Sequence, residues 1–427
     1  MEFADGKLGF DYDVSGNLTR VGDGQADVNY EHLGNERQLI RRLPNGIRSI
    51  TQYSPLGQIE SIHHEDAKGA VLAEFRYQYD AKDRVTVAEE TTPSGTVKKT
   101  YAYDLMGRLV KFSASDGTAW SYEYDALGNR TAETDAAGKR TDYHYDSSGR
   151  LLRAGAVEYT YDESGNLSAK KENGTKTGYR FDTAGRLAEV EGAAGVIRYG
   201  YDGEGKRIRR ESPQGVTQYL THRLSPLSQV VAEYDGSGKL KRRYLPGLTK
   251  VAQRDTSGMA TYLLEDRLGS VRCVVDFSGK VVTRYDYSPF GLPKLTEGSE
   301  KTDLLYTGEP LDRETGLIYL RTRYYDPATG RFVSQDPVAG NVLETQSLNR
   351  YAYANNDPVN FKDPAGLYPC PSQGNCQDYQ PSPIWWKNMP HETYQAFRTG
   401  EIYQDKTRWE KGGRSAIPGH YFVIKII

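Results

Sequence analysis

The chain has 427 residues, room for more than one domain, with 37% hydrophobic residues and a formal net charge of −2. Its mean hydropathy of −0.71 argues against one large dry core, and the near-neutral charge offers no overall attraction to nucleic acid or an anionic membrane. Three cysteines, Cys273, Cys370 and Cys376, are too few for a disulfide framework, and no apolar run approaches the ~18 residues of a membrane-spanning helix.

The first residues, Met1-Glu2-Phe3-Ala4-Asp5, are acidic and lack a signal-peptide core. A repeat begins almost at once. Tyr12-Asp13 leads to Gly16-Asn17-Leu18, and no capping end precedes it, so the chain reads as a piece of a longer repeat protein. Tyr79-Asp80 leads to Asp83-Arg84, with no glycine. The pattern is then regular: Tyr103-Asp104 to Gly107-Arg108-Leu109, Tyr124-Asp125 to Gly128-Asn129-Arg130, Tyr145-Asp146 to Gly149-Arg150-Leu151. Tyr161-Asp162, Phe181-Asp182, Tyr201-Asp202 and Tyr234-Asp235 continue it. The spacing, about 16 to 24 residues, is that of a repeat architecture.

Each unit predicts a hairpin. Trp120, Tyr122 and Tyr124 alternate with polar residues, as do Thr141, Tyr143 and Tyr145, which is the period of a strand. Asp125 to Asn129 and Asp135 to Lys139 read as the turns. Asp starts such a turn by accepting a backbone N–H two residues on, and Gly takes the positive φ that closes it. The chain holds 33 Tyr against 11 Phe. A long sheet with two half-wet faces, its tyrosine hydroxyls in water, accounts for the low hydropathy.

From about Asp255 the pattern changes. Leu268-Gly269-Ser270-Val271-Arg272 is followed by Tyr285-Asp286-Tyr287-Ser288-Pro289-Phe290-Gly291, Tyr306-Thr307-Gly308-Glu309 and Arg323-Tyr324-Tyr325-Asp326-Pro327. Ser334-Gln335-Asp336-Pro337, Asn349-Arg350-Tyr351-Ala352-Tyr353 and Asp363-Pro364-Ala365-Gly366-Leu367 complete the series. This order resembles the repeat-associated core of the Rhs/YD-repeat family, which includes polymorphic toxins, the C subunits of insecticidal toxin complexes and, more distantly, teneurins. The most specific element is Pro358 through Asp363-Pro364-Ala365-Gly366-Leu367. Two departures are a longer spacer, Val338 to Ser347, and Leu264-Glu265-Asp266-Arg267 where a His-bearing stretch is usual.

The resemblance implies a mainly β fold: Tyr-Asp hairpins wound into a spiralling sheet that forms a hollow shell over 1–254, and a core plug over 255–367. A small α+β tail follows over 368–427. It also implies self-cleavage after Leu367, at the Leu367–Tyr368 bond. Motif by motif, Asp336 and Asp363 match the catalytic carboxylates, and Arg323 matches an arginine that the reaction needs. Two close carboxylates cannot both ionise easily, so one keeps a proton to serve as acid and the other serves as base. Arg323 either stabilises the oxyanion or holds one carboxylate ionised. No metal or other cofactor is called for. Asp326 and Asp357, the other two Asp-Pro sites, read as turn starters.

The tail lacks Tyr-Asp units and holds three of the four tryptophans, Trp385, Trp386 and Trp409. In the family this position carries the variable effector, released by the cut and delivered by a secretion apparatus or spike protein such as a type VI system. A helix is predicted from Pro390, and a strand over 420–427. His391, Glu392 and His420 are its acid–base groups, so a small nuclease is one reading; surface residues of a remnant are the other. Zinc on Cys370, Cys376 and His391 is disfavoured by the five-residue spacing. The expected partners are the chain's own tip as cargo, an immunity protein and the secretion machinery of a bacterium that exports it for interbacterial competition or host intoxication. Two rivals are a cell-surface adhesion protein whose tyrosine rows stack on carbohydrate, and an inactive displaced cassette.

Overall fold

The computed structural model describes residues 2–371 except 4, 5, 25, 223–226, 300, 339 and 341–344. His391, Glu392, His420 and the predicted tail helix and strand lie outside the described residues. Among those described, no helix is long and apolar enough to cross a membrane.

One antiparallel meander dominates. It runs from Gly9–Tyr12 to Pro293–Gly298, and each strand pairs with the one before and the one after it in the chain. The turns form as their residues predict. Asp125 N–H donates to Asn129 O at 2.9 Å, and Gly128 N–H to Asp125 O at 3.1 Å. The Asp125 carboxylate accepts from the Leu127 and Asn129 amides at 2.9 and 2.8 Å. Gly128 has φ +76°, where a side chain would be strained.

What links one unit to the next is less obvious. The register shifts by one residue beside the repeat tyrosines: Glu123 faces Ala132 but Tyr124 faces Arg130, leaving Thr131 of the next strand as the extra residue, and Ile208 is the extra residue opposite Gly200 and Tyr201. Such a bulge bends the strand that faces the tyrosine. The hydroxyl then reaches back to the previous unit: Tyr103 to Val85 O (2.7 Å), Tyr124 to Leu109 O (2.9 Å), Tyr145 to Arg130 O (2.8 Å) and Tyr201 to Leu187 O (2.6 Å). The basic residue after the glycine completes the link. Arg108 binds its own Asp104 at 2.6 Å, donates to Asp125 O of the next unit at 2.7 Å, and lies 4.9 Å from the Tyr124 ring centre. Arg84 over Tyr103 and Arg186 over Tyr201 repeat the stack. The hydroxyls expected in water are therefore spent on backbone carbonyls, which would otherwise lose a partner.

The sheet curls so that its first strands face its last. Val21, Val28, Ile47, Ile62 and Phe75 share a core with Val251, Leu264 and Val275. Polar pairs stitch the same seam: Arg41–Glu265 (2.6 Å), Lys99–Asp286 (2.8 Å) and Arg272–Glu90 (2.7 Å). The ladder crosses residue 255 without a break, because Asp266 and Asp276 start the same turns as the Tyr-Asp units. The irregular part begins after Gly298. Its small sheet, Leu311–Asp312, Leu317–Leu320, Arg323–Asp326 and Arg331–Phe332, packs on the aromatic face of the wall. Tyr351 OH donates to Gly165 O at 2.7 Å, Asn356 Nδ2 to Gly128 O at 2.8 Å, and Tyr199 OH to Asp312 at 2.5 Å.

Candidate functional site

Three strand ends of this irregular part converge on one point. Arg323 opens the strand Arg323–Asp326, Asp336 follows the strand Arg331–Phe332, and Asp363 follows Phe361–Lys362. Arg323 is 4% exposed and Asp363 2%. One guanidinium nitrogen, Nη2 of Arg323, lies 2.7 Å from Asp336 Oδ2 and 3.5 Å from Asp363 Oδ2. The two carboxyls thus meet across a single cation.

Asp363 also touches the bond named from the sequence. Its Oδ1 accepts the amide N–H of Leu367 at 2.9 Å and that of Tyr368 at 3.0 Å. The second is the nitrogen of the Leu367–Tyr368 peptide. Arg323 Nε donates to the Gly366 carbonyl, one residue before that bond. Gly366 has φ +69°, and a Cβ there would lie 2.5 Å from Leu320 O and 2.9 Å from Arg323 N. Only glycine lets the loop lie this close to the hairpin that carries Arg323.

The electrostatics follow from burial. Desolvation pushes the Asp363 carboxyl up to about 6, against Arg323 and the two amides, which favour its charge. Asp336 is also raised by burial, again against the pull of Arg323. Burial lowers the Arg323 guanidinium, opposed by both aspartates, but an arginine stays charged. The pair therefore holds a proton more tightly than free carboxyls do, up to about pH 6 at Asp363, and the titration belongs to both carboxyls together.

Sequence reasoning missed the supports of this cluster. The Phe332 ring lies 3.6 Å beneath the Arg323 guanidinium. Arg350 receives Arg323 Nη1 and Asp336 N–H on its carbonyl at 3.1 and 2.9 Å, and its Nε donates to Asp336 O at 3.0 Å. Arg350 lies in the Asn349-Arg350-Tyr351-Ala352-Tyr353 motif, but the roles of both residues depend on the fold. Asp326 and Asp357 do serve turns: the first accepts the Ala328 amide at 3.0 Å, the second the Asn360 amide at 3.2 Å. Cys370 is disulfide-bonded, which removes it as a zinc thiolate; Cys376 and His391 lie outside the described residues.

The teneurin YD-shell family model matches residues 6–359. The tRNA3(Ser)-specific nuclease WapA of Bacillus spizizenii is 32% identical over 216 residues, which is 50% of this chain and 8% of that protein. The double-stranded DNA deaminase toxin A of Burkholderia cenocepacia is 28% identical over 252 residues, 51% of this chain and 17% of the toxin. The chain thus spans only a small part of these relatives' length. Among solved structures, the crystal structure of TcdB2-TccC3-Cdc42 superposes with a TM-score of 0.66 at 20% identity, covering 84% of this chain and 20% of that one. At that identity the likeness shows the fold.

Proposed function

The chain belongs to the teneurin YD-shell family, and from that premise we propose that it is the container of a bacterial toxin, a shell that encloses its own C-terminal tip and cuts it free after Leu367. The division into wall (1–254), core (255–367) and effector tip (368–427) is part of this reading. The single observation that carries it is the Asp363 carboxyl on the amide nitrogen of the Leu367–Tyr368 bond, with a second, half-buried carboxyl across Arg323.

The chemistry divides between the two aspartates. Asp336, held ionised by Arg323, takes a proton from the attacking water. Water adds to the Leu367 carbonyl carbon, and the tetrahedral centre collapses as the C–N bond breaks. Protonated Asp363 gives its proton to the Tyr368 nitrogen, which leaves as an amine. Of the two roles open to Arg323, the 2.7 Å contact with Asp336 favours keeping a carboxylate charged over binding the oxyanion. Gly366 and Arg323 hold the strand end so that the bond cannot swing away.

Two relatives are named for toxic activities, a tRNA nuclease and a deaminase toxin. They support an effector role for 368–427 and, with it, export from a bacterium and an immunity partner. The adhesion alternative gains nothing from the tyrosines, whose rings stack on arginines and whose hydroxyls bind carbonyls. The test is retention. After cleavage the tip should co-elute with the shell on native size exclusion and separate once the shell is unfolded. Residues 368–427 produced in a bacterium should arrest growth, and the neighbouring reading frame should restore it. A tip that elutes alone from folded shell, and leaves growth unimpeded, would overturn the container reading.

A further inference from the structure

Arg321 sits in the two-residue turn that joins Leu317–Leu320 to Arg323–Asp326, with φ +66°. A long cationic side chain is a costly choice there, since glycine or asparagine holds that conformation with less strain. The side chain has work that neither could do. Its Nη1 donates to the carbonyl of Pro364, the residue after Asp363, and to Glu309 Oε1 at 3.0 Å. Its Nε donates at 2.9 Å to Ser228 O, which belongs to the wall just before the strand Gln229–Asp235.

A second wall contact reaches the same point. Lys250, the first residue of the strand Lys250–Asp255, lies 3.7 Å from Glu309 and donates to Gly308 O at 3.2 Å. Glu309 is 7% exposed. Burial pushes its carboxyl up, but Arg321 and Lys250 together hold it below its ordinary value. Thr322 N–H also donates to Ala365 O at 3.2 Å. The loop 363–366 is thus gripped by a turn whose own position is set by wall residues 228 and 250.

We propose that Arg321 is a positioning residue which couples the cut to closure of the wall: the Asp363 loop reaches its cutting geometry only once the strands at Ser228 and Lys250 have packed onto the core. The proposal rests on the self-cleavage reading and adds its regulation. A chain whose wall is incomplete would keep its tip attached, so release would follow enclosure. Arg321 touches neither carboxyl oxygen of the pair nor the Leu367–Tyr368 bond in any contact described above. Its effect is on rate through geometry, and a misplacement of about 1 Å costs on the order of a hundredfold.

The test follows cleavage of the full chain during cell-free synthesis, with timed quenching and intact mass, for wild type, Arg321→Met, Arg321→Lys, Lys250→Met and the double Met variant. Arg321→Met should cut roughly tenfold to a hundredfold more slowly, with an unchanged pH midpoint because both aspartates remain. Arg321→Lys should recover part of the rate. Lys250→Met should also slow the cut, and the double variant should be no slower than Arg321→Met, since both act along one path. If Arg321→Met fails to fold, Lys250→Met and its melting temperature carry the test alone. Wild-type rates in Arg321→Met or Lys250→Met, or a shifted pH midpoint, would overturn the proposal while wild-type cleavage stands. An uncut wild-type chain would instead overturn the self-cleavage reading, and this inference with it.

Discussion

The wall and the core use the same residue types for opposite ends. In the wall an Asp starts a turn, a Gly closes it, an Arg caps it and a Tyr ties it to the unit before, and the set recurs down the chain. Each Asp there is exposed or half-buried, and at Asp146 and Asp182 neighbouring amides and an arginine overcome desolvation and hold the carboxyl below its usual range. In the core the same types meet once. Asp363 also accepts two amides and faces an arginine, but it is buried, and burial wins, pushing it up to about 6. Depth, rather than the list of partners, separates a turn aspartate from one suited to acid catalysis.

That contrast can be broken at several points. The largest effect is expected at the pair: Asp363→Asn or Asp336→Asn should slow cleavage by about 10²–10⁴-fold or stop it, read as the cut fraction against time. An equivalent change at Asp146, Asp146→Asn, should leave the rate alone. Next is pH. The cut needs protonated Asp363 and ionised Asp336, so its rate should fall about tenfold per unit above about 6 and fall again at low pH as Asp336 takes up a proton. Linkage gives Asp363 a second signature. Its folded pKa is raised from 3.8, so its stabilising contribution is complete below 3.8 and lost as pH rises through about 6. Asp363→Asn should remove that part of the pH dependence of melting.

Smaller effects test the geometry. Gly366→Ala must place a Cβ against Leu320 O and adopt a left-handed backbone, at a cost of about 1–2 kcal/mol; both cleavage rate and melting temperature should drop. In the wall, Tyr124→Phe loses one hydroxyl bond and should cost about 1 kcal/mol without touching cleavage. Phe181 is the natural version of that loss. Phe181→Tyr should restore a link to the carbonyl of Leu167 and stabilise by about 0.5–1 kcal/mol in denaturant titration.

The turns were legible in the sequence because their chemistry is local: Asp125 and Gly128 interact within four residues. The face of the strand was legible for the same reason, from the alternation of Trp120, Tyr122 and Tyr124. The ties between units were not, since Tyr124 and Leu109 O lie 15 residues apart and meet only in the folded sheet. Continuity past residue 255 was obscured because the tyrosines change there while the turn aspartates, Asp266 and Asp276, persist. At the site, motif resemblance named Asp336, Asp363 and Arg323, and the fold brings all three together. The support from Phe332 and Arg350, and the grip of Arg321 on Pro364, depend on distant segments meeting and leave no local mark.

The most direct measurement is the intact mass of the purified full chain beside its Asp363→Asn variant. The account predicts two wild-type species dividing between Leu367 and Tyr368, and a single uncut species for the variant. A wild-type chain that stays whole in folded protein near pH 6 would contradict it.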